Sequence, residues 1–377
     1  MKLAFVLALL LSTHVDAQIG SFDFYGDKFE LPVLSTGEKD SLLEFKGVPA
    51  RIKTYITESR AIAELDDWGL VYFIDAFVDA QFINAKDSDK VKIVNMLLTE
   101  LSINNAIGKI SKGLLLSLVS IDNKSRPIND ARYFEKDGYK YMPVKRQSKV
   151  TKLRDIEMYC RAEYKDIQLD YVKTPNIRNV NASRKELSFF NYCSGKKDSV
   201  EFDFSKSYNR YYNDLPRIIP DHHYYMAPVS PIFQNSFFSM LDGKLGQCRY
   251  RLDSINFLIK FVQSGIQFEE DKVVYGKEDW CSFPENTFAL GKGDCEDKCE
   301  AFAFLVNHYF KNTGIVFLFY TNHVRIGLRD PNLSLTGKPY QKLEGQTYFE
   351  VELQGNDTVL ADDSFALFPS TPLFITN

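Results

Sequence analysis

The stretch GKGDCEDKCEAFAF, residues 291–304, decides the fold of the last third of the chain. Two glycines precede Cys295, which acidic residues flank, and Cys299 follows four residues later at the start of an apolar, aromatic run. Helical spacing collects on one stripe the side chains of Cys299, Phe302, Ala303, Val306, Tyr309 and Phe310. The pattern predicts an amphipathic helix that begins near Cys295 and ends by Gly314.

Three strands are predicted around this helix. The run IVFLFY, residues 315–320, is apolar without alternation, as in a strand covered on both faces. TNHVRIGL, residues 321–328, places His323, Arg325 and Gly327 on one face, and TYFEVEL, residues 347–353, does the same for Tyr348, Glu350 and Glu352. If the last two strands pair, a glutamate lies beside His323.

The N-terminus reads as a secretory signal. Lys2 precedes an apolar stretch from Leu3 to Leu11, and the polar end VDA predicts cleavage after Ala17. A mature chain of 377 − 17 = 360 residues is then expected to be secreted or periplasmic. The formal net charge of −4 and the absence of basic clusters argue against nucleic acid or acidic lipid as partners, and no other segment reads as a membrane span.

Cys295 has four readings: a nucleophile, a metal ligand, half of a disulfide, or a core residue. Cys299 lies one turn away and would allow a shared zinc ion, but no second cysteine or histidine pair with ligand spacing is near. A bond between these two cysteines would distort the helix, and Cys299 on the apolar stripe is most simply core. Among the six cysteines, Cys160 with Cys193 is the expected disulfide. No metal or cofactor is predicted.

A nucleophilic Cys295 requires a thiolate, which the first turn of a helix favours and the flanking carboxylates of Asp294, Glu296 and Asp297 oppose. An imidazolium partner is therefore needed. His308 lies 13 residues along the same helix, about 20 Å away, and cannot reach.

His222 and His223 lie in a proline-rich connection and read as surface or packing residues, which leaves His323 as the base. A third group must orient that imidazole. Glu350 and Glu352 are about 6.6 Å apart along their strand, so only one can serve. Glu350 and Glu352 are both candidates, with Asp362 and Asp363 as the alternatives if neither glutamate acts.

Residues 249–353 resemble the transglutaminase-like branch of the papain-fold cysteine enzymes, particularly its secreted bacterial members. The likeness is carried by GDCED, residues 293–297, with NHV and YFEVE after it. It implies a catalytic Cys295, His323 and acid, a papain-like α+β core, and thiol chemistry on amides. The family's acid is usually an aspartate four residues after an aromatic; Glu352 keeps the spacing from Tyr348 but is a glutamate. The calcium loop of the animal crosslinking enzymes is not seen, so no metal is implied.

An α+β chain of several units is predicted. Residues 18–145 form a mixed α/β unit, residues 150–220 a small antiparallel β domain, residues 221–240 a proline-rich connection, and residues 241–377 the transglutaminase-like domain.

The first unit also runs in the same order as the last, which suggests that residues 50–145 are an inactive copy. In that alignment Cys295 corresponds to Ser88, which is expected to cap its helix, and His323 corresponds to Asp122.

Two functions follow from these observations. The first is a secreted cysteine hydrolase or acyltransferase that acts on amide bonds of a protein or peptide substrate through Cys295, His323 and Glu352. The second is a non-catalytic binding or assembly module that retains the same fold. Thiol reactivity separates the two, because only the enzyme needs an activated cysteine.

Overall fold

The computed structural model describes residues 20–110, 114–121, 134–144, 157–162, 164–167, 175–178, 181–215, 224–276, 280–321, 323–333, 340–355 and 374–376. The first part of the chain contains β1 (Ser21–Phe24), β2 (Asp27–Glu30), α1 (Thr36–Leu43), α2 (Ala50–Ile62), α3 (Asp67–Gln81), α4 (Asp87–Glu100), β3 (Asn105–Lys109), β4 (Leu115–Ile121), β5 (Phe134–Lys136), β6 (Tyr139–Pro143) and β7 (Glu157–Ala162). The middle contains β8 (Ala182–Asn191), β9 (Lys196–Ser205), α5 (Lys206–Asp214), α6 (Pro231–Leu245) and α7 (Arg251–Gly265). The last part contains β10 (Gln267–Phe268), α8 (Asp271–Val274), α9 (Pro284–Leu290), β11 (Lys292–Gly293), α10 (Cys295–Tyr309), β12 (Gly314–Tyr320), β13 (His323–Arg329), β14 (Tyr340–Leu343), β15 (Gln346–Val351) and β16 (Phe374–Thr376).

The α+β class is confirmed: helices pack against two five-stranded sheets whose described pairings are all antiparallel. Two apolar cores hold these layers together. The first surrounds helix α3, where Trp68, Phe73 and Phe77 are at most 1% exposed. The second joins helices α6, α7, α9 and α10 to the second sheet and to the β8–β9 hairpin. Within the described residues, no helix has the length and apolar character needed to span a membrane.

The two five-stranded sheets have the same topology. Numbered in chain order within each sheet, the strands lie in the order 3-4-2-1-5, as β5-β6-β4-β3-β7 and as β14-β15-β13-β12-β16. Each sheet follows a helix, α4 or α10, that packs on the second strand of that sheet. Both hairpins between strands 3 and 4 turn through two residues of positive φ, at Asp137–Gly138 and Glu344–Gly345. This shared connectivity supports the hypothesis that the first unit is a copy of the last.

The predicted alignment of the two units, which matches LLLSLVSID (residues 114–122) with IVFLFYTNH (residues 315–323), is nevertheless wrong by one strand. LLLSLVSI forms β4, the second strand of its sheet, so its counterpart is β13 rather than β12. The true first strand, β3, is the short run NAIGK, which lacks a strand pattern and was not predicted. In the β3–β4 turn Leu114 takes the place that His323 has in the β12–β13 turn. Asp122, the predicted counterpart of His323, lies outside the described residues.

The start of the first unit's helix also differs from the prediction. Helix α4 begins at Asp87, after an N-cap Lys86 whose side chain makes no capping hydrogen bond, so Ser88 lies within the first turn. The counterpart of Cys295 by helix position is therefore Asp87. With a carboxylate and an apolar side chain at the two equivalent positions, the first unit lacks the thiol and imidazole of the last.

The strands predicted to form one small sheet between residues 150 and 220 divide between the two cores. Strand β7 pairs with β3 at the edge of the first sheet, whereas β8 and β9 form a separate hairpin packed against α7 and α6. The proline-rich connection is in part helical, because Pro231 occupies the first turn of α6 and Ser230 caps it. Proline is tolerated there since its missing N–H would have no partner in the helix.

The disulfide joins Cys193 to Cys248, with their Cα atoms 5.2 Å apart. The expected pairing of Cys160 with Cys193 is therefore wrong. Strand β7, which carries Cys160, belongs to the first sheet, while Cys193 lies at the β8–β9 turn beside the connection between α6 and α7. The bond ties the hairpin to the helices of the second core.

Candidate active site

Two glycines and an aspartate set the start of helix α10. Gly291 ends α9 with a left-handed φ of 68°, a conformation that glycine adopts without steric cost. Gly293 faces Asp297 so closely that an added Cβ would lie 2.6 Å from that side chain. Asp294 is then the N-cap and Cys295 the first helical residue. The predicted start of the helix is confirmed. The two glycines of GKGD are explained by the left-handed turn at Gly291 and by the close approach of Gly293 to the Asp297 side chain.

Helix α10 lies across strand β13, and this contact brings the cysteine to the histidine strand. Cys299 is fully buried in the second core with its Sγ 3.6 Å from the carbonyl oxygen of Val324, so its predicted core position is confirmed. One turn earlier on the helix, Cys295 emerges half-buried at the surface. His323 begins β13 opposite Tyr320, at the end of the strand nearest the turn.

Cys295 and His323 line the same open cleft, whose volume is about 570 Å³. The described side chains around it are Phe268, Glu270, Asp271, Lys272, Asp294, Cys295, Glu296, Phe319, Tyr320, Thr321, His323, Val324 and Gln354. A cleft of this size accommodates a peptide segment or a small acyl group.

Glu352 contacts the imidazole that sequence spacing assigned to it. Its Oε2 lies 2.8 Å from Nε2 of His323. Because that contact occupies Nε2, the Nδ1 atom remains available to accept a proton from a thiol. An orienting carboxylate produces this arrangement by holding one ring nitrogen and leaving the other accessible. Glu352 follows the last residue of β15, and its own Oε1 accepts the backbone N–H of Gln354 at 2.7 Å. The carboxylate is thereby fixed from two sides.

Arg325 connects the two glutamates. Its Nε donates to Oε2 of Glu352 at 2.9 Å, the same oxygen that contacts His323, and its NH1 donates to Oε2 of Glu350 at 3.1 Å. Gln341 donates to the other oxygen of Glu350 at 2.7 Å. Glu350 is therefore the partner of Arg325. The shared oxygen on Glu352 was not predicted, because alternation gives a face but not a hydrogen-bond partner.

Electrostatics keep Glu352 ionised despite its burial. Burial by itself would raise the pKa of Glu352, but the hydrogen bond and charge of His323 and the nearby Arg325 hold that pKa below its ordinary value. Arg325 is 7% exposed, and although burial opposes its charge, Glu352 and Glu350 raise its pKa. This buried group thus carries two acids and one permanent cation beside the imidazole.

The thiol of Cys295 is held in its protonated form. Its Sγ lies 2.9 Å from Oε2 of Glu296 and donates to it. Burial raises the pKa of Cys295 well above its ordinary value, and the charges of Glu296 and Asp294 raise it further, while the Val324 backbone N–H acts in the opposite direction. The opposition of the carboxylates was predicted from the sequence. The specific hydrogen bond to Glu296 was not, because no sequence pattern signals it.

A second group of carboxylates lies close to the cysteine. Oxygens of Asp271, Asp294 and Asp297 converge within 4.8 Å of one another, a donor set that could hold a cation. Protein groups already contact it: Asp297 accepts the Ser282 backbone N–H at 2.7 Å and the Tyr275 hydroxyl at 3.2 Å. Burial, followed by the charges of Glu296 and Asp297, raises the pKa of Asp294 well above its ordinary value.

Lys298 helps to position the chain segment that carries Glu352. Its ammonium is buried beneath the end of β15 and donates to the carbonyl oxygens of Gln263 at 3.3 Å and Leu353 at 3.4 Å. Burial lowers the pKa of Lys298 to about 8. Gln263 in turn donates to the carbonyl oxygen of Glu352 at 2.7 Å, so helices α7 and α10 together position the segment that carries the acid. Sequence reasoning did not identify Lys298, since a lysine inside a helix usually faces solvent.

Of the other sequence candidates, only His308 lies within the described residues. His308 stacks on Phe238, with ring centroids 3.6 Å apart, and does not line the cleft, as its distance along the helix predicted. His222, His223, Asp362 and Asp363 lie outside the described residues.

Comparisons of the chain with protein-family models, with curated proteins and with solved structures find no match.

Proposed function

We propose that the chain is a cysteine-dependent hydrolase or acyltransferase of transglutaminase-like type, acting on amide bonds of proteins or peptides. One observation carries this proposal: Cys295, at the first turn of a helix, and His323, held through Nε2 by Glu352, line a single cleft. A thiol, an imidazole and an orienting acid are the groups that nucleophilic acyl transfer needs. The predicted signal sequence adds a secreted or periplasmic location and no cofactor is required.

In the proposed reaction the thiol turns from Glu296 toward His323, whose Nδ1 takes its proton. The thiolate attacks the substrate carbonyl, and the imidazolium then gives its proton to the leaving amine as the C–N bond breaks. The products of this half-reaction are a thioester on Cys295 and a free amine. Water or a second amine releases the acyl group by the reverse sequence. Glu352 stabilises the imidazolium throughout, and the backbone N–H of Cys295 is a candidate donor to the oxyanion.

The second candidate function, a non-catalytic binding or assembly module, is favoured by the state of the thiol. A cysteine whose pKa is raised and whose proton is held by Glu296 is a poor nucleophile until something displaces that carboxylate. The enzyme remains the better proposal because a binding module has no need for the His323–Glu352–Arg325 network beside the cysteine.

The proposal is tested by screening purified residues 18–377 for hydrolysis of casein and for incorporation of a fluorescent primary amine into casein. Cys295→Ala is expected to abolish either activity, whereas Cys281→Ala, which removes a thiol outside the described cleft lining, should retain it. The Cys295→Ala variant should keep its free energy of unfolding within about 1–2 kcal/mol of the parent. Full activity in Cys295→Ala would refute the nucleophile.

A further inference from the structure

The hydrogen bond from Cys295 to Glu296 blocks the reaction proposed above. The proton that His323 must remove is the one that Glu296 accepts at 2.9 Å. Glu296 lines the cleft and is half-buried, so a group that enters the cleft can reach its carboxylate. In the described part of the chain no lysine or arginine forms an ion pair with Glu296. The carboxylate is thus open to a cation from outside.

The other residues that line the cleft also favour a cationic ligand. Glu270 is exposed and lines the same cleft, and within the described residues no basic side chain pairs with it either. Lys272 is the one lysine among the described lining residues, so carboxylates outnumber basic groups around the thiol. Phe268 is 43% exposed beside Glu270 and offers an apolar surface to the methylene stem of a long cationic side chain.

We propose that the substrate carries an ammonium or guanidinium group next to its reacting carbonyl, and that Glu296 is the residue that selects it. This inference rests on the proposed function and names the substrate class for the same site. When the cation pairs with Glu296, the carboxylate no longer accepts the thiol proton, and Cys295 turns to Nδ1 of His323. A substrate with an anionic group is repelled by Glu270 and Glu296, and the thiol then remains hydrogen-bonded to Glu296.

In this mechanism the contact with Glu296 that selects the substrate also activates the Cys295 thiol. A neutral peptide can occupy the cleft but does not displace Glu296, so the interaction that distinguishes substrates also assembles the reactive pair. An arginine or lysine side chain adjacent to the scissile amide satisfies this requirement.

Charged thiol reagents test the inference without a known substrate. Methanethiosulfonates carrying ethyltrimethylammonium, methyl or ethylsulfonate groups form a mixed disulfide with a thiolate and release methanesulfinate. The rate at Cys295 is followed by mass spectrometry of its peptide and divided by the rate of the same reagent with free 2-mercaptoethanol. In the parent protein the corrected cation-to-anion ratio is expected to be at least about 10, because a charged cleft concentrates counter-ions by that factor or more.

In Glu296→Gln the ratio should fall below about 3, and the neutral methyl reagent should react about tenfold faster. Removing the adjacent charge raises the thiolate fraction by more than it lowers the nucleophilicity of each thiolate. Glu270→Gln should lower the ratio partially, which provides a second variant if the first is unstable. Glu58→Gln removes an equal charge from the exposed face of α2, outside the cleft, and should change neither quantity.

The possible results separate this inference from the function on which it rests. A corrected ratio near 1 in the parent, or a ratio unchanged in both Glu296→Gln and Glu270→Gln, overturns the cationic selection while leaving the nucleophile intact. If no reagent modifies Cys295 in the parent or in Glu296→Gln faster than it modifies the buried Cys299, the proposed enzyme itself fails.

Discussion

Removing the charge of Glu352 is expected to reduce turnover by about 10²–10³-fold without unfolding the protein. Its Oε2 lies 2.8 Å from His323 Nε2, and two unit charges at that distance interact by at most about 6 kcal/mol at an effective dielectric constant of about 20. Both side chains retain some solvent contact, 19% for His323 and 14% for Glu352, and a glutamine still accepts a hydrogen bond. We therefore expect the substitution to remove about half of that maximum charge–charge interaction, roughly 3–4 kcal/mol of imidazolium stabilisation.

The matched variant is Glu350→Gln, which removes an equal charge from the same strand. Glu350 contacts Arg325 and Gln341 but not the imidazole, so its removal should lower turnover by less than about tenfold. The assay compares initial rates of both variants on the best substrate from the casein and amine screens, with circular dichroism and thermal unfolding to verify the fold. Equal losses in the two variants, or near-parental rates in Glu352→Gln, would refute the assignment of the acid.

Glu352 also makes a pH prediction with a definite sign. Its pKa in the folded protein lies below its ordinary value of 4.5, so its ionisation stabilises the fold at pH values above 4.5. That contribution is lost as pH falls through the lower, folded value. Urea unfolding measured from pH 6 to pH 3 should therefore show a smaller loss of stability in Glu352→Gln than in the parent. The two curves falling in parallel would contradict the lowered pKa.

Three further predictions concern the fold around the site. Cys299→Ser buries a hydroxyl in an apolar core and should lower the free energy of unfolding by about 1–3 kcal/mol in urea titrations; no loss would place Cys299 at the surface. The pKa of Asp294 is raised above its ordinary value of 3.8, so the folded protein keeps a proton that the unfolded chain releases above about pH 4, and stability falls as the pH rises from there through the folded pKa. Asp294→Asn, which preserves a capping side chain, should therefore be more stable relative to the parent at pH 8 than at pH 4, and the reverse order would contradict the shift. Replacing Cys193 and Cys248 with alanine opens a loop of 55 residues and should cost about 4 kcal/mol in the chain-entropy model, against no change if neither cysteine is disulfide-bonded.

Strong periodic patterns made the sequence informative near the site. The apolar stripe of α10, the uninterrupted run of β12 and the alternation of β15 each specify one burial pattern, and the structure contains all three elements. The family resemblance, through the spacing of Glu352 from Tyr348, also indicated the acid that contacts His323, whereas residue parity alone places Glu350 and Glu352 on the same face of the strand.

The remaining features depend on tertiary context that a single sequence does not encode locally. The short strand β3 has no alternation, so the first strand of the repeated sheet was missed and the alignment shifted. Pro231 looks like a loop residue until its position in the first turn of α6 is known. The pairing of Cys193 with Cys248 and the contacts of Glu296 and Lys298 arise from distant segments meeting, which composition and spacing cannot reveal.

Direct detection of an acyl group on Cys295 tests the central claim. The parent and His323→Asn are incubated with 4-nitrophenyl esters of acetylated amino acids, including arginine and lysine, quenched in acid and analysed by peptide mass spectrometry. The account predicts a hydroxylamine-sensitive thioester on Cys295 in the parent, formed at least about 10²-fold faster than in His323→Asn, because the imidazole must remove the thiol proton. Absence of acylation at Cys295 in the parent, or equal rates in the two proteins, would contradict it.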